Sequence, residues 1–117
     1  MLFRSTLWIL GLKTERTGTI IHTRNGGRTE LLGGYFLTWR PYIAPALINE
    51  DSHVSASYFS SADHDGDNYQ VHIREVRAGK IREILQADLP GNSYQSMMSL
   101  YVGYLDASMY SLGSLFK

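Results

Sequence analysis

The chain has 117 residues, of which 44% are hydrophobic and 19% are charged, a composition typical of a folded protein rather than a disordered one. Its 11 basic and 11 acidic residues balance, so no excess of positive charge predicts a nucleic-acid partner or an anionic membrane surface. Cysteine is absent, which excludes disulfides, thiolate zinc sites and a cysteine nucleophile and favours a reducing, cytoplasmic location. We predict a single domain spanning residues 1–117.

The N-terminal region combines a short apolar run with the first turn signal. The run Leu7–Leu12 stops at Lys13 and is far shorter than the ~20 apolar residues that cross a bilayer, so it predicts a buried first strand. The β-branched segment Thr17–Arg24 predicts a second strand. The Asn25-Gly26-Gly27 turn that follows predicts a hairpin. The return strand is Arg28–Trp39, and the Gly33-Gly34 pair in its middle predicts a bulge.

The middle of the chain continues the strand pattern. Pro41 and Pro45 mark a connection, after which Val54–Ser60 and Tyr69–Arg77 predict two strands. In the second of these, alternation places His72 on the polar face of the sheet. The Ala78-Gly79-Lys80 turn predicts a further hairpin. The next segment, Ile81–Leu85, fits both helical and strand spacing, and its position after a turn favours a strand.

The C-terminal region has a different periodicity. Its apolar side chains recur at helical spacing from Tyr94 to Phe116, and a capping residue precedes them. We therefore predict a helix over Ser93–Leu112. The expected fold class is α+β: a curved antiparallel sheet of about five to six strands, covered by one long C-terminal helix.

That predicted helix is almost free of charge. Between Leu89 and Phe116 the one charged residue is Asp106, and half of the eight tyrosines fall in the same region. Tyrosine suits partly buried contacts because its ring is apolar and its hydroxyl can remain hydrogen-bonded. The pattern predicts a homodimer interface formed by this helix or an adjoining sheet edge, while deep burial of the helix within its own domain is the alternative. The interface residues are Tyr94, Tyr101, Tyr104 and Met109.

The stretch ADHDGDNY holds three alternating carboxylates, Asp63, Asp65 and Asp67. A helix–loop–helix calcium site needs a glutamate at the twelfth loop position, where this chain has Arg74, and it also needs flanking helices. Asp, Asn and Gly favour tight turns without any ligand. We therefore predict a hairpin turn and no metal, with a looser calcium or magnesium site between the strands as the alternative.

An aromatic cluster beside a guanidinium is the best candidate for a ligand site. Aromatic rings and an arginine at the end of a strand can line the mouth of a pocket for a planar or anionic ligand. The alternative is that the rings close one end of the core. The predicted ligand-binding residues are Tyr35, Trp39, Arg40, Tyr42 and His53.

No nucleophile elbow, phosphate loop or metal-ligand spacing occurs, so no catalytic residue and no cofactor are predicted. The leading hypothesis is a non-enzymatic binding or interaction protein, homodimeric, with a protein or small-molecule partner, and of a kind common among accessory products of phages or mobile genes. The alternative is a small enzyme that uses loop residues such as His53, His64 and Asp65, or a small-ligand-binding protein with its pocket at Trp39 and Arg40.

Overall fold

The structure is a computed structural model that describes residues 6–15, 18–38, 44–63 and 67–105. The described chain is built almost wholly of β-strands, with one short 3-10 turn at Gln86–Asp88. The strands are β1 (Thr6–Thr14), β2 (Ile21–Thr23), β3 (Arg28–Thr38), β4 (Leu47–Glu50), β5 (His53–Ala62), β6 (Val71–Arg77), β7 (Lys80–Leu85) and β8 (Gln95–Gly103).

From β1 to β6, successive strands alternate between two sheets. Sheet A has the order β1-β3-β5-β8, and sheet B has the order β2-β4-β6-β7. The first three strands of each sheet are parallel to one another, whereas β8 and β7 each join their sheet antiparallel. A parallel pair cannot be joined by a short turn, so the chain crosses to the other sheet between each pair of parallel neighbours.

This alternation winds the chain into three coils, each with one strand in either sheet. In sheet B, Leu47 pairs with Ile21, 26 positions earlier, and with Ile73, 26 positions later. In sheet A, Arg28 pairs with Thr6 and with His53, at steps of 22 and 25 positions. The described chain is therefore a short two-sheet solenoid, closed at one end by β7 and β8.

The core lies between the inner faces of the two sheets. Leu31, Phe36 and Met98 of sheet A are fully buried, as is Ile73 of sheet B. Strands β3 and β5 show the alternation of a sheet with one buried face, since Val54, Ala56 and Tyr58 point inward at every second position. The buried residues form one contiguous cluster that also includes Leu47, Ile84 and Tyr101.

The predicted C-terminal helix is wrong, and with it the α+β fold class. Gln95–Gly103 is a strand that pairs antiparallel with β5, and the described residues contain no α-helix. Spacings of three and four positions misled the prediction because β8 carries a register irregularity. Met98 and Tyr101 point inward on either side of that irregularity, three positions apart, as they would in a helix. Residues 106–112 of the predicted helix lie outside the described residues.

The predicted antiparallel sheet of five to six strands is also wrong, because the eight strands form two mixed sheets. Asn25 and Gly26 do take the positive φ angles of 59° and 74° that their sequence predicts. Their turn nevertheless joins β2 of sheet B to β3 of sheet A, so it is not a hairpin. The predicted hairpin at Asp63–Asp67 fails in the same way, since β5 and β6 lie in different sheets; residues 64–66 lie outside the described residues.

Two local predictions are confirmed. The Ala78-Gly79 turn joins β6 to β7 as an antiparallel hairpin, so the ambiguous Ile81–Leu85 segment is a strand. The Gly33-Gly34 pair coincides with a register shift between β3 and β5. His72, by contrast, was predicted on a polar face and is fully buried, because the pairing of β6 with β7 shifts between Val71 and Ile73.

Ala78 gives a test of the hairpin. Its φ is +50°, a conformation that is unfavourable for alanine and readily adopted by asparagine. We expect Ala78→Asn to raise the free energy of unfolding by about 1 kcal/mol, because Asn-Gly is the preferred type I′ pair. Urea unfolding measures the change. Asn25→Ala is the reciprocal control and should lower stability by a similar amount, since Asn25 has a φ of +59°. An unchanged or lowered midpoint for Ala78→Asn would contradict the assignment.

Candidate interaction surface and buried polar networks

The solvent-facing side of sheet A, called here the outer A face, is unusually apolar. Trp8 and Leu10 of β1 are 68% and 76% exposed. Soluble proteins seldom expose a contiguous apolar patch that crosses several strands. The apolar side chains of this face are Trp8, Leu10, Leu32, Tyr35, Phe59, Met97 and Leu100.

Strand register aligns these side chains in rows that run across the sheet. Leu10 pairs with Leu32 in one row. In the next row Tyr35 pairs with Phe59, which pairs in turn with Met97. The rings of Tyr35 and Phe59 are stacked with their centroids 5.8 Å apart. The first row therefore covers β1 and β3 and continues to Ser57 on β5, whereas the second covers β3, β5 and β8 and has Lys13 as its neighbour on β1.

A crease separates the two rows. Gly11 and Gly33 lie at corresponding positions in consecutive coils, and both have positive φ angles, 79° and 83°. The same level of the sheet carries register shifts between β3 and β5 and between β5 and β8, at Ser57. Small residues thus form the floor of a shallow depression of about 440 Å³, lined by Gly11, Leu12, Lys13, Gly33, Gly34 and Tyr35. A second depression of about 260 Å³ continues it toward Met97.

The solvent-facing side of sheet B, the outer B face, carries ion pairs as well as exposed apolar side chains such as Ile81. Arg74 Nε lies 2.7 Å from Glu83 Oε2, and His22 Nε2 lies 2.8 Å from Glu50 Oε1. Such alternation of charged and apolar side chains is the ordinary composition of a wet sheet face. The outer A face therefore exposes more large apolar side chains than sheet B, where Ile81 and Leu85 of β7 are exposed.

Inside the core, His72 links the two sheets through a chain of hydrogen bonds. Its Nδ1 lies 2.8 Å from the Tyr58 hydroxyl, and its Nε2 lies 2.9 Å from Asn68 Oδ1. Asn68 Nδ2 donates to the Ser93 carbonyl at 3.0 Å, so its Oδ1 is free to accept. These partners fit a neutral imidazole that donates from Nε2 and accepts from Tyr58. Burial lowers the pKa of His72 to about 4.

A second polar network lies near the end of β8. The Tyr101 hydroxyl donates to Glu75 Oε2 at 2.6 Å and accepts from Asn49 Nδ2 at 2.9 Å. Glu75 also lies 3.4 Å from Arg82 and 3.8 Å from Arg77, which compensate its buried charge. Burial and the neighbouring carboxylate raise the pKa of Tyr101 far above its ordinary value. Like the His72 chain, this network ties sheet A to sheet B.

The predicted ligand-binding residues are only partly placed. Tyr35 lies on the outer A face and lines the crease. His53 begins β5, and its ring centroid is 5.5 Å from that of Tyr104. Trp39, Arg40 and Tyr42 lie outside the described residues, so the predicted cluster stays a prediction.

The predicted interface residues lie at four different kinds of position. Tyr94 is exposed just before β8. Tyr104 is half-buried, with the Arg28 guanidinium 5.1 Å from its ring centroid. Tyr101 is fully buried between the sheets, where its hydroxyl serves the Glu75 network. Met109 lies outside the described residues.

Sequence reasoning missed the outer A face. The run Leu7–Leu12 predicted a buried strand, whereas β1 is an edge strand whose alternate residues point outward. Met97 and Leu100 were assigned to a helix. The usable signal was the Gly11 and Gly33 pair, each preceded by leucine, which marks the same position in two coils.

No protein family, curated protein or solved structure matches this chain. Across the four described ranges, no cluster of three His, Asp or Glu side chains could hold a metal ion. The described residues also include no helix long and apolar enough to cross a membrane. His64 and Asp65, named in the enzyme alternative, lie outside them.

The lowered pKa of His72 predicts acid sensitivity. Above about pH 6.5 the imidazole is neutral whether the chain is folded or unfolded, so it adds no pH dependence. Between about pH 6.5 and about pH 4, the His72 imidazole binds a proton in the unfolded chain but stays neutral in the folded chain. The free energy of unfolding should therefore fall by roughly 3 kcal/mol as pH drops through that window.

Urea unfolding at several pH values tests this expectation. His72→Gln keeps a donor and an acceptor but cannot titrate, so its stability should depend less on pH over the same window. His22→Gln, at a half-exposed histidine on the outer B face, is the control. Equal pH slopes for wild type and His72→Gln would show that His72 does not govern acid unfolding.

Proposed function

We propose that this protein is a non-enzymatic interaction protein that forms a homodimer through the outer A face. The contrast between the two outer faces carries the proposal. The outer B face carries two ion pairs across its strands, whereas the outer A face presents Leu10, Leu32 and Met97 to solvent in aligned rows. Desolvating apolar rows of this kind stabilises association, whereas desolvating the outer B face would strip water from charges.

The dimensions of the outer A face suit a two-fold contact. Four strands spaced ~4.8 Å apart and about nine residues long cover roughly 20 by 30 Å. Two such faces in contact would bury about 1,200 Å² in total, the lower bound for a specific protein interface. Stacked sheets pack about 10 Å apart with interdigitated side chains, and the rows and crease offer the ridges and hollow for that packing.

A second copy of the chain suits this face by its charges. The outward-facing charged residues of sheet A include Lys13, Arg28 and Glu30. A two-fold axis that passes between Arg28 and Glu30 would place each of them opposite the other residue of the second copy, so the same patch can serve both partners. Equal numbers of acidic and basic residues in the whole chain leave no net repulsion between copies.

The enzyme alternative gains no support from His72. Its two ring nitrogens are hydrogen-bonded to Tyr58 and Asn68 inside the core, with no solvent-exposed surface for a substrate. The neutral His72 imidazole instead links the two sheets through its hydrogen bonds to Tyr58 and Asn68. We further propose a cytoplasmic location, supported by the absence of cysteine, and an accessory role in a phage or mobile gene set, supported by the modest length of the chain.

Light scattering with a matched pair of variants tests the dimer. Met97→Glu places a charge in the second apolar row of the outer A face, on β8, and should halve the molar mass, because the carboxylate would be desolvated in the interface. Ile81→Glu is the control: Ile81 is 64% exposed but lies on β7 in sheet B, so the mass should not change. Equal masses for wild type and Met97→Glu would overturn the proposal.

A further inference from the structure

The solenoid has one open end. β1 pairs only with β3 and β2 only with β4, so among the described residues the far edges of both strands are unpaired. β1 is nine residues long, and its sequence TLWILGLKT contains one charged residue, Lys13. Long apolar edge strands readily pair with a further strand, because each carries a row of unused backbone donors and acceptors.

The opposite end is protected in ways that the open end is not. β7 carries Lys80, Arg82 and Glu83, and charged side chains are a common device against edge pairing. The edge of β8 is partly covered by the segment before it. Met97 N donates to the Pro90 carbonyl at 3.0 Å, and Asn92 N donates to the Gln95 carbonyl at 2.7 Å. Among the described residues, the charged and covered edges thus lie at the closed end, whereas β1 at the open end carries one charged residue, Lys13.

The core is also incomplete at the open end. Ile9 and Leu12 of β1 pack against the buried cluster but are only partly buried themselves, and so is Ile20 beside β2. Equivalent inward positions in the next coil, such as Leu31, are fully buried. A partner at the open end would therefore gain apolar burial in addition to strand pairing.

We propose that the open end binds the open end of a second copy, with β1 antiparallel to β1 and β2 antiparallel to β2. The partner must supply one edge to each of two stacked sheets at once. A two-fold axis perpendicular to both sheets and passing between the edges meets that need, since it turns each edge onto its own copy. Sheets A and B then continue without interruption across the two copies.

This contact is separate from the dimer across the outer A face. Side chains alternate along β1, so Leu7 and Ile9 point inward while Trp8 and Leu10 point to solvent. One strand therefore serves two different surfaces. With both contacts formed and their two-fold axes meeting at a right angle, the expected assembly is a closed tetramer.

A double-mutant experiment separates the two contacts. Leu7→Lys places an inward-pointing lysine on the open edge, which prevents edge pairing without altering the outer A face. Met97→Glu disrupts the outer A face without altering β1. Leu85→Lys, on the edge strand of the closed end, is the control. Light scattering measures the molar mass of each variant, and circular dichroism confirms that the strands form.

The expected masses are those of a tetramer for wild type and Leu85→Lys, a dimer for each of Leu7→Lys and Met97→Glu, and a monomer for the double variant. A wild-type dimer that Met97→Glu dissociates and Leu7→Lys leaves intact would overturn the edge contact alone. A wild-type dimer with the reverse response would overturn the proposed function alone and support the edge contact.

Hydrogen exchange provides a measurement that does not depend on a variant folding. Amides on the free edges of β1 and β2 should exchange more slowly in concentrated wild-type protein than after dilution, because pairing protects them. Amides of β4 and β5, which lie inside their sheets, should show no such dependence. The proposal would be overturned if the exchange rates of the β1 and β2 edge amides did not depend on protein concentration.

Discussion

Parallel strand pairing is the constraint on which the architecture depends. Neighbouring parallel strands run in the same direction, so the chain must return to the start of the next strand by a separate path. In many proteins a helix makes that return, whereas here strands β2 and β4 make it, and they form a second sheet as they do so. The core is the space between the strands of sheet A and the returning strands of sheet B.

Two sheets that share a core need contacts that fix their relative position, and apolar side chains alone permit sliding. Hydrogen bonds between the sheets are directional and therefore fix their relative position. The Tyr58–His72–Asn68 chain and the Tyr101–Glu75–Asn49 network each join the sheets through buried side chains, and the Thr23 and Thr29 hydroxyls add a third link at 2.7 Å. Because buried polar groups without partners are costly, only one offset of the sheets satisfies all three.

The sequence predicted most of the strands and turns and little of their pairing. Positive φ at Asn25 and Gly26, the bulge at Gly33-Gly34 and the hairpin at Ala78-Gly79 are local properties of short segments, and each is present. Which strand lies beside which depends on contacts more than 20 positions apart, and an Asn-Gly turn reads the same whether it reverses a strand or moves the chain to another sheet. The coils share strand direction but differ in length, so no sequence repeat revealed them.

The same limit explains the candidate surface. A run such as that of β1 is apolar on both sides, and only its place at the edge of a sheet makes Trp8 and Leu10 external. The failed helix at Gln95–Gly103 has a similar origin, because a strand with an irregular register can imitate helical spacing. Local turns and strands could be predicted from short segments, whereas the burial of a side chain could not be predicted without the order of the strands in the sheets.

The crease runs over one glycine in each of two consecutive coils, so its length depends on the number of coils. Gly11 and Gly33 occupy one level in consecutive coils and share one backbone conformation. A duplicated coil inserted between them would add another glycine at the same height and lengthen the hollow by one strand spacing, about 4.8 Å. Evolution could therefore adjust the span of this surface by copying a segment, leaving the chemistry of every existing wall residue as it was.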